Sequence, residues 1–168
     1  MVEHTPDSET IVETAETYDL RHGFNVGFLQ LLLQAQTRAE LIKIGHLCSI
    51  PDTPDWFAGF INHRGDAVPV FDLAACLGLE PVTYSKGWLL LLDEQPTVAG
   101  LLLAEPPQGV TDPVLLDEHE RQPELNLLQG ISSGQYRHQN GVWFELDHRA
   151  FFMAQKQRFN DINAQPPV

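Results

Sequence analysis

Positive charge is scarce in this sequence: ten Lys and Arg stand against 23 Asp and Glu, a formal net charge of −13 over 168 residues. Affinity for phosphate backbones comes from Lys and Arg displacing counterions, so nucleic acid and anionic membrane are poor expected partners. No apolar run approaches the ~20 residues of a membrane-crossing helix. The N-terminus carries acidic residues where a secretory signal needs positive charge ahead of an apolar core. We therefore expect no membrane insertion and a cytoplasmic location. Cysteine is nearly absent, and Cys48 and Cys76 lie too far apart for a zinc knuckle or a redox pair. Buried reduced thiols are the expectation, with a disulfide as the alternative.

Catalytic signatures are missing too. Ser49 and the pair Ser132-Ser133 lack the strained strand-to-helix elbow that presents a nucleophilic serine, and Cys48 lacks an electropositive setting. There is no Gly-rich phosphate loop. Asp93 and Glu94 read as solvated turn residues, not as a general acid pair. The seven histidines show no paired-ligand spacing. His46 with Cys48, and His63 with Asp66, are the nearest approach to a metal set. A small metal-dependent hydrolase using His46, His63 and Asp66 is the competing enzyme reading. We expect neither metal nor cofactor.

What is present centres on residues 59–78. Phe60, Ile61 and Val68 to Phe71 have the β-branched and aromatic content of a half-buried strand pair, separated by His63 to Asp66. Gly65 supplies the positive φ that such a turn needs. Pro69 has no N–H, so its strand should be an edge, or be unpaired or bulged at that position. Asp72 stands where an N-cap would, before a short helix through Leu73, Cys76 and Leu77 that Gly78 closes. Arg64 at the tip has a fork able to hold carboxylates or carbonyls, its ordinary role being that of a solvated turn residue. An edge bearing Val68, Val70 and Phe71, the charged tip and a groove together point to surface recognition.

Ahead of this hairpin, residues 1–20 hold six acidic residues and no Lys or Arg, the composition of a solvated extension. Phe24, Val26 and Phe28 lead into Leu29 to Leu33 as one strand. Ile42, Ile44 and Leu47 carry the chain to Pro51 and Pro54, which direct Trp56 and Phe57 to close one end of a barrel. After the hairpin, Trp88 to Leu92 and Val98 to Ala104 form a second strand pair, with Gly100 at a bulge or close approach. Thr111 to Glu124 reads as an exposed loop. Tyr136 to Leu146 is a hairpin turning at Asn140-Gly141. Asp147 caps a helix through Phe151, Phe152 and Ala154, and Asn160 to Val168 is expected to fray.

The stretch from Pro51 to Leu73 resembles the signature of the CheW family, adaptors that join chemoreceptors to the histidine kinase CheA. The pattern is a Pro-rich lead-in, an apolar strand opening at Gly59, Asn62-His63-Arg64-Gly65, and Val68-Pro69-Val70 ending in Asp72-Leu73. Thr37 to Ile42, the 88–104 hairpin and Trp143 to Phe152 resemble further segments of that family. Gly23-Phe24-Asn25-Val26-Gly27 and Leu31-Leu32-Leu33 look closer to the PilI-type, pilus-associated adaptors. His63 departs from the family, which has an apolar residue there.

The resemblance implies an all-β fold of two small five-stranded barrels on a shared core, with short helices near 73–77 and 148–157. It divides the chain into an acidic extension (1–20), a CheW-like domain (21–158) and a tail (159–168). It implies a non-enzymatic adaptor, a monomer within a larger array, with two partners: the regulatory domain of a CheA-type kinase and the helical hairpin tip of a chemoreceptor. The site residues it implies are Gly59, Phe60, Asn62, Arg64, Gly65, Val68 and Val70, with Gly59 kept small so that a partner backbone can approach. A kinase-independent array spacer of the same fold is the remaining alternative.

Overall fold

The computed structural model describes residues 17–164; most of the expected acidic extension lies outside them. The strands are β1 (Leu20–Val26), β2 (Leu29–Leu33), β3 (Ala39–Lys43), β4 (Leu47–Cys48), β5 (Phe57–His63), β6 (Asp66–Asp72), β7 (Trp88–Leu92), β8 (Ala99–Leu103), β9 (Gln108–Thr111), β10 (Val114–Leu115), β11 (Ser132–His138) and β12 (Gly141–Leu146). Two helices, α1 (Leu73–Cys76) and α2 (His148–Ala164), follow β6 and β12. The strands form two curled sheets, ordered β10-β11-β12-β2-β1-β9 and β3-β7-β8-β6-β5-β4. Each has six strands, one more than expected, because the two-residue pieces β4 and β10 add short edges.

The leucine runs are apolar throughout because each strand is buried on both faces. Side chains alternate along a strand, so Leu90, Leu92, Leu101 and Leu103 enter the seam between the sheets with Phe24, Leu31, Leu33, Phe144 and Phe151. Their neighbours Leu89, Leu91 and Leu102 fill the interior of the second sheet with Ile61, Val68 and Val70. Leu32, Val110 and Trp143 fill the interior of the first. Gly100 pairs in regular register with Leu91 and Val70, and a Cβ there would lie 2.9 Å from Leu89 Cδ1, so it marks a close approach and no bulge.

Several expectations change. Phe24 to Leu33 is a hairpin and not one strand: Val26 pairs with Leu29 across Gly27-Phe28, Gly27 takes φ +57°, and Phe28 is left exposed at the tip. The second tight turn sits one residue earlier than expected, since His138 pairs with Gly141. That register places Trp143 in the interior cluster, and burial of one face fixes register more firmly than turn chemistry. Helix α2 continues to Ala164, past both the expected helix end and the expected tail boundary, because Phe159 packs edge-on against Trp56 and Phe57 at 4.9 and 5.1 Å. The segment after Thr111 is not free loop: β10 pairs with β11, Leu116 is buried, and Gln135 both donates to the Gln122 carbonyl and accepts from its N–H at 2.8 Å.

Candidate functional site: the β5–β6 hairpin tip

Strand β6 lies between β5 and β8, so it is not an edge strand. Its pairing with β8 begins only at Val70, and Pro69 sits one residue earlier, where no N–H is required. The alternative of a locally unpaired side is the one the chain adopts. Asn62 to Ala67 therefore project past both neighbours, since β4 pairs only with Phe60 and Ile61. Arg64 and Gly65 form the two-residue turn with φ of 55° and 91°. Positive φ at both positions matches the twist of the flanking strands. Asn62 Oδ1 accepts from the Gly65 N–H at 3.2 Å, fixing the turn from within.

The tip is tied to β3 by one carboxylate. Glu40 Oε1 accepts from Arg64 Nη2 at 3.2 Å, and Glu40 Oε2 lies 3.2 Å from His63 Nε2. The Arg64 side chain is 75 % exposed and that of His63 20 %. Beneath them opens a groove of about 680 Å³ with an apolar floor of Leu91 and Val98, walled by Glu40, His63, Arg64 and the β7–β8 turn at residues 93–95. Mouths of small barrels are recurrent binding places.

A second cluster anchors that turn to α2. Asp93 Oδ2 meets His148 Nε2 at 3.0 Å and Arg149 Nε at 3.1 Å, and its Oδ1 accepts from Arg149 Nη2 at 3.2 Å. Burial pushes the Asp93 carboxyl upward, but the hydrogen bonds from Arg149 and His148 outweigh it and hold it below its ordinary value. Among the described residues His148 Nδ1 is buried with no hydrogen-bond partner, so the ring's polar contact is the one between Nε2 and Asp93. Arg38 pairs with Glu94 on the same rim.

The residues expected to meet a partner divide into two groups. Asn62, Arg64 and Gly65 are exposed at the tip, and Phe60 is half-buried beside it, 5.3 Å from the Phe57 ring. Val68 and Val70 are buried inside the sheet and offer no surface to a partner. Gly59 is buried, and a Cβ there would overlap the Cys48 carbonyl group and lie 2.9 Å from Ser49 Cα. The backbone that its smallness admits belongs to this chain and not to a partner. Among the described residues no three His, Cys, Asp or Glu side chains are grouped to hold a metal, so His46, His63 and Asp66 do not form the ligand set of the hydrolase reading. Asp93 is not the solvated turn residue expected, since its side chain is largely buried against His148 and Arg149. Glu40, His148 and Arg149 were not singled out from sequence, because their partners lie 23 to 56 residues away.

Comparison with known proteins agrees with this architecture. A 50-residue stretch is 38% identical to Protein FrzA of Myxococcus xanthus, covering 30% of this chain and 31% of that protein, so the match spans about a third of the relative. The fold is similar to the crystal structure of the scaffolding protein TtCheW from Thermoanaerobacter tengcongensis, with a TM-score of 0.63 and 18% identity over 80% of this chain and 88% of that one. Residues 23–155 match the model of the CheW-like domain. With two packed curled sheets and a family match over most of its length, the chain belongs to the CheW-like family.

Proposed function

We propose that this chain is an adaptor that couples a chemoreceptor's cytoplasmic helical hairpin tip to the regulatory domain of a CheA-type histidine kinase within a chemosensory array. The observation that carries the reading is the family match over residues 23–155, joined to a protruding hairpin whose arginine is three-quarters exposed. In this reading Phe60, Asn62, Arg64 and Gly65 meet the receptor, while Gly59, Val68 and Val70 hold the hairpin in shape. The kinase is engaged by barrel-to-barrel contact, since CheA ends in a CheW-like domain. The resemblance of residues 23–27 to pilus-associated adaptors favours type IV pilus twitching over flagellar chemotaxis as the output.

The test is to titrate the purified protein against the kinase regulatory domain and, separately, against a receptor signalling fragment. Complexes with both are expected. Absence of any kinase complex at high micromolar concentration would falsify the coupling role, and receptor binding alone would favour the array-spacer alternative. Loss of twitching and not swimming in a deletion strain is the expected output.

A further inference from the structure

We propose that His63 competes with Arg64 for Glu40, so that protonation of the imidazole releases the guanidinium to a partner carboxylate or carbonyl. The inference rests on the adaptor reading and adds a regulation of the same site. Glu40 has one carboxylate, and the structure divides it: one oxygen faces Arg64 Nη2 and the other His63 Nε2, each at 3.2 Å. While the imidazole is neutral, Arg64 is the only cation on that carboxylate among the described residues. Once the imidazole is charged, Glu40 faces two cations and can neutralise one. The imidazole has the advantage, because it is 20 % exposed against 75 % for Arg64, and exposed pairs are screened more strongly.

The other charged groups around the mouth do not relieve the competition. Arg38 is paired with Glu94, and Asp93 is held by His148 and Arg149. Asp66, opposite His63 across the hairpin, is exposed and bonded to neither cation. Histidine as a residue type is the side chain that changes charge between pH 5 and 8 without special perturbation, which is why pH is the variable to test.

Two measurements test this. In the free protein, the Arg64 Nε–H resonance is followed by NMR from pH 8 to pH 5.5. It should move with the same midpoint as the His63 ring protons and stay still in His63→Gln, which keeps a donor but cannot charge. An Arg64 signal that ignores the His63 titration overturns the inference whether or not any partner binds. Affinity for a receptor signalling fragment should rise about threefold to fivefold towards pH 5.5, the worth of one exposed ion pair, and be flat in His63→Gln. Equal pH dependence in both proteins also overturns it. No binding at either pH, with the NMR coupling intact, instead counts against the adaptor reading.

Discussion

Gly59 and Cys48 are neighbours across the β4–β5 pair with no room between them: a Cβ on Gly59 would overlap the Cys48 carbonyl group, its carbon 2.8 Å away. Gly59 also holds φ +124°, a backbone region that L side chains rarely adopt. Gly59→Ala should therefore destabilise the fold by on the order of 3 kcal/mol, and Gly59→Asp by more. Urea denaturation is the measurement; a variant that melts like the parent and only loses a partner would return Gly59 to the interface.

Arg64 and Val70 lie on one hairpin but should respond oppositely. Arg64→Ala removes a 75 % exposed side chain with one ion pair and should change stability by less than about 0.5 kcal/mol while weakening receptor binding. Val70→Ala opens space in a packed interior and should cost about 2 kcal/mol, with binding reduced only in proportion to the unfolded fraction. Denaturation and binding measured side by side separate the two.

Asp93 makes part of the stability dependent on acid. Its folded carboxyl lies below the ordinary value near 3.9, so at low pH the unfolded chain binds the proton first. The contribution is complete above that unfolded value and is lost as pH falls through the lower folded one. Asp93→Asn should lower stability at pH 7 by about 1 to 3 kcal/mol, the cost of leaving a buried partner such as His148 poorly satisfied. The variant should also lose less stability than the parent between about pH 5 and pH 2. Equal acid sensitivity in the two proteins would count against this clamp.

The two thiols should differ in reactivity. Both are free, which closes the disulfide alternative, and Cys48 is exposed. Burial pushes the Cys76 thiol up to about 12, leaving almost no thiolate to react. Iodoacetamide should label Cys48 in the native protein and Cys76 only after denaturation, as read by peptide mass spectrometry. Equal native labelling would show that α1 opens readily.

Much of this was legible in order along the chain. The tight turn at Arg64-Gly65, the N-cap at Asp72, whose Oδ1 accepts from the Ala75 N–H at 3.1 Å, and the 88–104 strand pair all follow from local composition. Val68 and Val70 show where such reading stops. Alternation places them on one face, but both faces of β6 are apolar, so the pattern alone could not separate interior from surface. Trp143 similarly overrode the Asn140-Gly141 turn because its burial set the register of the whole hairpin.

By itself, then, the sequence determined the β-rich class, the hairpin and its charged tip, since these depend on neighbours in the chain. Only the tertiary structure decided which carboxylate holds Arg64, which backbone Gly59 admits and how Asp93 joins a turn to α2. Glu40 and Arg64 stand 24 residues apart, and Asp93 and Arg149 stand 56 apart. Closure of the sheets brings each pair into contact, and no local pattern encodes a distance of that kind.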